Sequence, residues 1–245
     1  MANPYLLLWL EGPLQAWGHD SRFGRRDSLD FPTKSGVLGL LCCARGAGGP
    51  QSEWLAAWAD LDMQVEGYVP RDEKGRPLAR LPLLRDFHMV GNGYDDGDPW
   101  QTLLIPKKRD GSKAVGGGAK LTFRYYVQDM AYAVAIQAPA SLFEETVAAL
   151  QMPVWDLYLG RKNCAPTEFI YQGLFDSAEA ALRAGADLAE KKNRWLALRV
   201  LQGEHEGEVV VLNDVPVRFG PVKSYRNRRV TVQRPEMPML SRAQQ

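Results

Sequence analysis

The sequence contains little cysteine and little histidine, with three residues of each among 245. Cys42 and Cys43 are adjacent and cannot easily bridge each other, and Cys164 makes the count odd. This usage argues against a disulfide framework and favours a reducing compartment. The three histidines stand far apart, so no cysteine or histidine cluster has the spacing of metal ligands. We therefore expect no metal site, no other cofactor and a location in the cytoplasm.

Long apolar runs are also absent. None reaches the roughly 18 residues that a membrane-spanning helix needs. The N-terminal run Tyr5–Leu10 is too short for a signal sequence and has no basic segment before it, so it predicts a buried strand. Apolar residues make up 45% and charged residues 24%, close to the averages for soluble globular proteins. These features predict no membrane contact, and one large domain or two smaller ones that share a core.

An excess of charge of one sign is missing too, because the formal net charge is only +1. This excludes a protein that coats nucleic acid over its whole surface. The basic residues are nevertheless grouped, while most acidic residues lie elsewhere, which favours a basic groove on one face. Solvated surface loops are the alternative. The basic groups are Arg22, Arg25 and Arg26; Lys107, Lys108 and Arg109; Arg161 and Lys162; and Arg226, Arg228 and Arg229.

Apolar patterns predict a series of strands and helices. The strand at 5–10 is followed by a helix that Thr33 caps and Gly46 ends. A long excursion without an apolar pattern occupies about 91–120, and such a loop is usually functional or mobile. The other predicted elements are a short helix at 53–59, strands at 62–69, 79–90 and 121–137, a helix opened by a capping box Ser141-x-x-Glu144, a helix opened by Asp176-x-x-Glu179, and short strands at 194–201, 208–212, 215–219 and 229–233.

The order of these elements indicates an α+β fold. Up to about residue 150, the order strand, helix, strand, strand, excursion, strand and helix resembles a ferredoxin-like βαββαβ unit with an insertion. Proteins that recognise RNA also use this scaffold, although a fold alone does not establish a function.

Two motifs near the N-terminus could contact nucleic acid. In Gly12–Gly18, glycines let backbone amides approach a phosphate and Trp17 can stack on a base, with Gln15 between them; the alternative is a structured turn with Trp17 in the core. The arginines that follow and can pair with phosphates are Arg22, Arg25 and Arg26.

The second motif, Phe31–Gly36, places a lysine, two hydroxyls and free amides at a helix N-terminus, a geometry that binds anions. The residues concerned are Thr33, Lys34 and Ser35. It is not a P-loop, because G-x-x-x-x-G-K-[ST] is absent, and the alternative is a well-capped helix that binds nothing. Gly36 and Gly39 share one helix face, which predicts the close approach of another backbone from a sheet or a nucleic acid.

Two further motifs combine cations with polar side chains. In Arg85-Asp86-Phe87-His88, the alternatives are an ion pair with a structural histidine or an RNA-cleaving base at His88, for which Lys120, Tyr125 and Tyr126 are conceivable partners. The turn Tyr158–Cys164 offers phosphate contacts from Arg161 and Lys162 and a base contact from Asn163, or is simply a surface turn.

In this order, the four motifs resemble the CasD family, the fifth-numbered Cas proteins of the Cascade complex in type I-E CRISPR systems. The resemblance covers about residues 4–175 and fades in the β-rich remainder. It implies a ferredoxin-like RNA-binding domain over 1–160, with a β-hairpin thumb at about 91–120. It also implies a small C-terminal domain with its own antiparallel β-sheet over 161–245.

The resemblance further implies a non-catalytic subunit that caps the 5′ handle of the CRISPR RNA (crRNA). Its partners would be the backbone subunits, the large subunit that recognises the PAM, and target DNA through the complex. The runner-up is a metal-independent endoribonuclease that processes repeat RNA, as in the type I-C branch of the wider family. The predicted RNA-binding residues are Gln15, Trp17, Arg22, Arg25, Arg26, Thr33, Lys34, Ser35, Arg85, His88, Lys107, Lys108, Arg124, Arg161, Lys162 and Asn163.

Overall fold

The computed structural model describes residues 3–19, 21, 24–90, 97–100, 107–108, 110–112 and 120–236, and shows a mixed α+β fold. Over these residues the elements in chain order are β1 (Tyr5–Glu11), β2 (Leu14–Gln15), β3 (Arg25–Arg26), α1 (Lys34–Ala44), α2 (Ser52–Trp58), β4 (Met63–Pro70), β5 (Leu84–Val90), β6 (Lys120–Gln128), β7 (Ala131–Gln137), α3 (Phe143–Gln151), β8 (Tyr171–Phe175), α4 (Ala178–Lys191), β9 (Arg194–Gln202), β10 (Glu208–Arg218) and β11 (Ser224–Gln233). No helix in the described ranges is long and apolar enough to cross a membrane.

A seven-stranded antiparallel sheet in the order β10-β11-β9-β4-β7-β1-β8 forms the centre of the molecule. Its strand β7 alternates small and large side chains, so the two faces of the sheet differ. The large side chains pack with α1, α2 and α3 in the main core. On the alanine face, Gly185 of α4 lies so close that an added Cβ would be 2.6 Å from the Cβ of Ala133. Two cores therefore lie on opposite faces of one sheet.

The single strand expected at 121–137 is two strands in different sheets. The break is at Asp129, whose φ of 47° is left-handed, and β6 leaves the main sheet to pair with β2, β3 and β5. Strands β5 and β6 are antiparallel from Leu84↔Tyr126 to Val90↔Lys120. The excursion at about 91–120 therefore connects two paired strands. Most of it, and with it the predicted thumb, lies outside the described residues.

The C-terminal strands do not form a separate sheet, and that part of the predicted fold is corrected. Strand β9 pairs with β4, and β11 and β10 continue the same sheet outward. The two strands expected at 208–212 and 215–219 are one strand, β10, with register shifts on both sides of Val215. From the sequence, any later strand could pair with the outer edge of β4. No local pattern identifies β9 as the strand that does so.

The predictions of where the helices start are confirmed in part. The predicted cap of α1 is confirmed, because Thr33 Oγ1 accepts a bond from the Gly36 amide at 3.1 Å. The capping box at Ser141 is wrong, since α3 follows Leu142 without a side-chain cap. The cap of α4 is Ser177, one residue after the expected Asp176, and it accepts a bond from the Ala180 amide at 3.1 Å.

Candidate nucleic-acid interface

A groove runs along α1, and we call it the α1 groove. It consists of three adjoining cavities of about 730, 420 and 690 Å³. The first, the hairpin cavity, lies against the β10–β11 hairpin and shares Ser35 and Tyr225 with the second, the central cavity. The third, the Trp155 cavity, shares Trp155 and Tyr158 with the central one. The groove therefore extends from one end of α1 to the other.

The floor of the groove is the face of α1 that carries Ser35, Gly36 and Gly39. An added Cβ on Gly36 would lie 2.9 Å from the Trp17 ring, so this glycine admits an indole, not the backbone that the sequence predicts. A Cβ on Gly39 would meet no atom of the described residues within 4 Å. At Gly39 the helix backbone is thus open to whatever occupies the groove.

The walls of the groove supply aromatic rings and cations. Tyr225 and Lys223 come from the β10–β11 hairpin, and Trp155 and Tyr158 come from the segment after α3. That segment is held against the end of α1 by two hydrogen bonds: the Val154 amide donates to the Ala44 carbonyl at 2.8 Å, and Cys43 Sγ donates to the Asp156 carbonyl at 3.3 Å. Exposed cations stand at both ends, Arg26 at the hairpin cavity and Lys162 at the Trp155 cavity.

Two predicted RNA contacts in the first motif lie in the core instead. Gln15 and Trp17 are fully buried. Gln15 Nε2 donates to the carbonyls of Leu10 at 3.2 Å and Met130 at 2.7 Å, and Trp17 Nε1 donates to Gln15 Oε1 at 3.2 Å. These bonds satisfy both side chains internally. The structured turn with Trp17 in the core is therefore the correct alternative.

The N-terminus of α1 does not offer the free anion site that the sequence predicts. The Lys34 amide donates to Asp214 Oδ2 at 2.8 Å, and the Gly36 amide is taken by Thr33. Asp214 also accepts two bonds from Arg228, at 2.8 and 2.9 Å. A carboxylate of the chain itself thus occupies the place where a phosphate would sit. Thr33 and Ser35 line the central cavity beside it.

Lys34 is buried and points inward. Its Nζ donates to the carbonyls of Ala59 at 3.0 Å and Leu61 at 2.5 Å. Burial lowers the pKa of Lys34 to about 8, and the charge of Arg228 adds to that effect against the opposing pull of Asp214. Lys34 therefore stabilises the loop after α2 and cannot reach RNA in this conformation.

The depressed pKa of Lys34 predicts a dependence of stability on pH. The folded pKa of about 8 lies below the ordinary 10.5, so between these values the unfolded chain binds the extra proton and the free energy of unfolding rises with pH. The rise should approach about 3 kcal/mol and vanish in Lys34→Met. Urea unfolding of both proteins from pH 7 to 11 measures it. Burial raises the pKa of Cys42 to about 11, an opposing effect that both proteins share, so the difference curve isolates Lys34.

A second surface is formed by the outward side of strands β5 and β6, and we call it the β5–β6 face. The Arg25 guanidinium lies 5.0 Å above the Tyr125 ring, and the Arg85 guanidinium lies 5.5 Å above the Phe123 ring. Phe87 packs on Phe123 with ring centroids 5.4 Å apart, and it is 54% exposed. This face brings together the predicted contacts Arg25 and Arg85.

His88 and Arg124 lie on the same pair of strands, and among the described side chains no catalytic group assembles around His88. Its Nε2 is bonded to Asp86, and its cross-strand partner is Thr122. Tyr126 is buried, and its hydroxyl accepts a bond from Asn163 Nδ2 at 3.1 Å. Tyr125 lies under Arg25, and the side chain of Lys120 lies outside the described residues. The described residues hold no group of three or more His, Cys, Asp or Glu that could bind a metal.

Arg161 connects its turn to the second sheet. Its Nη1 donates to the Tyr125 carbonyl at 3.1 Å, its Nη2 donates to the Arg26 carbonyl at 2.8 Å, and its guanidinium stacks on Tyr126 at 4.6 Å. These contacts orient the turn, which leaves Lys162 exposed in the groove. Of the other predicted contacts, Lys107 and Lys108 are exposed, and Arg22 lies outside the described residues.

Only some of the predicted contacts therefore lie on these two surfaces: Arg26, Thr33, Ser35 and Lys162 line the α1 groove, and Arg25 and Arg85 lie on the β5–β6 face. The groove residues that the sequence analysis missed include Lys223, Tyr225 and Trp155. The alternation Lys223-Ser-Tyr225-Arg-Asn227, which starts one residue before β11, is a signal that could have indicated a polar and aromatic outer face.

Comparison with known proteins identifies the family. A family profile described as CRISPR-associated protein (Cas_Cas5) matches residues 5–232. The chain belongs to this family. It is 30% identical over 180 residues to the CRISPR system Cascade subunit CasD of Escherichia coli (strain K12), which covers 71% of this chain and 73% of the relative.

Two solved structures extend the likeness to the fold. A chain of a structure titled CRISPR RNA-guided surveillance complex shows a TM-score of 0.66 and 27% identity, covering 96% of this chain and 91% of the other. A structure titled Crystal structure of Cas protein shows a TM-score of 0.55 and 26% identity, covering 96% and 95%. The resemblance to the CasD family is thus confirmed.

Proposed function

We propose that this member of the family is a non-catalytic Cascade subunit that binds and caps the 5′ handle of crRNA in the cytoplasm. Its partners would be the backbone subunits and the large PAM-recognising subunit, with target DNA reached through the complex. The observation that carries the proposal is the α1 groove, which combines an open helix backbone, aromatic walls and a cation at each end.

The dimensions and chemistry of the groove suit a single strand. An eleven-residue helix is about 16 Å long, which accommodates a few nucleotides. The open backbone at Gly39 admits the strand closely, Tyr225 and Trp155 offer faces for base stacking, and Arg26 and Lys162 lie where phosphates enter and leave. A groove of this kind holds RNA without needing a reactive group.

We also propose the finer division of the fold. The strand order β8-β1-β7-β4, with α1 and α3 in the crossovers, supports a ferredoxin-like unit. In this proposal the β-hairpin thumb at about 91–120, which connects β5 to β6, folds over the RNA. The RNA-binding domain over 1–160 and the C-terminal domain over 161–245 would then be two regions that share one continuous sheet.

The lack of catalysis is proposed from the surroundings of His88. Cleavage of RNA needs a base, an acid and an oxyanion stabiliser at one phosphate. The imidazole is engaged by Asp86, and Tyr126 is buried and bonded to Asn163. These contacts support a subunit that does not cleave RNA.

The direct test is incubation of the purified chain with labelled repeat RNA, followed by a binding assay and a denaturing gel. We expect binding without cleavage, for both the wild type and His88→Ala. Metal-independent cleavage at one site by the wild type, lost in His88→Ala, would establish the endoribonuclease instead.

The same assay at several salt concentrations tests the groove. Lys162→Gln and Lys223→Gln should each reduce the slope of log affinity against log salt by about 0.7, the value for one phosphate contact on a single strand. Lys191→Gln on α4, across the sheet from α1, is the matched control and should leave the slope unchanged. Equal slopes for all four proteins would remove the groove from the RNA path.

A further inference from the structure

The hairpin cavity differs from the rest of the α1 groove because two side-chain amides line it. Asn213 of β10 and Asn227 of β11 stand beside Tyr225, with Lys223 and Arg26 at the rim. Both asparagines are exposed, and no other described side chain bonds to their amides. The sequence motifs did not include them.

The backbone of the hairpin explains why the two amides lie together. Leu212 pairs with Arg228 and Val215 with Arg226, so two residues of β10 lie opposite the single residue Asn227. This is a β-bulge, a feature that redirects side chains. Its inward residue, Asp214, is buried against Arg228, while its outward residue, Asn213, faces the cavity. The buried ion pair thus holds the backbone from which both amides project.

The chemistry of these groups matches the edge of an unpaired base. A carboxamide presents one acceptor and two donors side by side, and it pairs with the donor and acceptor of a base edge, most often those of adenine. Phosphate contacts fix position but distinguish no sequence, whereas unpaired bases are recognised by stacking and by hydrogen bonds to their edges. Lys223 and Arg26 can supply the phosphate contacts. Tyr225 can stack on a base, and the two amides can bond to its edge.

We infer that the hairpin cavity selects one unpaired base of the bound RNA, adenine in preference to the others. The base stacks on Tyr225, and Asn213 and Asn227 bond to its edge. This inference rests on the proposed function and deepens it, because it assigns sequence discrimination to the C-terminal hairpin. The rest of the groove then binds backbone and stacked bases of any sequence.

The test measures binding of the full chain to a set of RNAs of handle length, in which each position carries each of the four bases in turn. We expect the wild type to prefer adenine at one position by roughly tenfold. Asn213→Ala and Asn227→Ala should each lose this preference while binding the disfavoured RNAs as before. Lys223→Gln should weaken all RNAs equally and keep the preference. Unfolding midpoints equal to that of the wild type show that the variants are folded.

Three results would overturn the inference. A wild type that binds RNA with no preference at any position would do so, and so would asparagine variants that weaken every RNA by the same factor. A preference for another base that survives both variants would place discrimination elsewhere in the groove. Absence of binding to any RNA would remove the proposed function itself, and the binding curve of the wild type distinguishes that outcome from the others.

Discussion

Replacing Asp214 with alanine should reduce the free energy of unfolding by about 3–5 kcal/mol, the cost of breaking a buried ion pair. The side chain of Asp214 is only 2% exposed and that of Arg228 only 7%. The carboxylate accepts two bonds from Arg228 and one from the Lys34 amide. Without it, a buried guanidinium and a helix N-terminus both lose their anion.

A matched control is an exposed ion pair made by Arg226, which lies on β11 as Arg228 does. Arg226 and Asp60 also form an ion pair, at 2.8 Å, but the side chain of Asp60 is 87% exposed. Solvent screens such a pair, so Asp60→Ala should cost no more than about 1 kcal/mol. Urea unfolding of the wild type and both variants measures the contrast. Equal losses in the two variants would show that burial of the Asp214 pair has no energetic role.

The hydrogen bond between the Lys34 amide and Asp214 is a contact that could not be predicted from the sequence. Lys34 and Asp214 are 180 residues apart, and no local pattern connects them. The motif around Lys34 correctly predicts a helix N-terminus that attracts an anion, because that property depends on neighbouring residues. Which anion occupies the helix N-terminus depends on the packing of β10 against α1, and this is a tertiary contact between distant parts of the chain. The prediction that Lys34 binds phosphate failed because Asp214 takes its amide and its Nζ is bound to the carbonyls of Ala59 and Leu61.

Elements fixed by local contacts were predicted in part: the cap of α1 is confirmed, and the capping box at Ser141 is wrong. The apolar pattern predicts strand over 121–137, which includes the buried strand β7, and Thr33 predicts the start of α1. Two consequences of long-range pairing were not predictable, namely the departure of β6 from the main sheet after the turn at Asp129 and the addition of β9 to the edge of β4. Apolar patterns identify strands without showing which strands pair.

The candidate site was likewise predicted in part. Grouped cations predicted a basic groove, and Arg26 and Lys162 do lie at its two ends. Charge alone did not separate them from Arg161, which is bound to backbone carbonyls, because a bonded and a free arginine look alike in sequence. Tyr225 and Trp155 became groove residues only when the hairpin and the segment after α3 were placed beside α1.

Replacing Gly39 with glutamine should stabilise the chain and weaken RNA binding at the same time. Glycine within a helix costs up to about 1 kcal/mol relative to good helix formers, and an added Cβ at Gly39 meets no described atom within 4 Å. The new side chain would project into the α1 groove where the strand has to pass. We expect affinity for repeat RNA to fall at least about tenfold, equivalent to about 1.4 kcal/mol. Fluorescence anisotropy and urea unfolding measure the two effects.

Opposite changes in stability and affinity are what distinguish blocking of the groove from damage to the fold. Gly39→Ala adds a single methyl group, so it should give most of the stabilisation with a much smaller loss of affinity. Ala186→Gln places the same glutamine on the exposed side of α4, which packs on the other face of the sheet, and should leave RNA affinity unchanged. If Gly39→Gln binds RNA as tightly as the wild type while gaining stability, the strand does not run over α1. The β5–β6 face, with its stacked Arg25 and Arg85, would then be the principal binding surface.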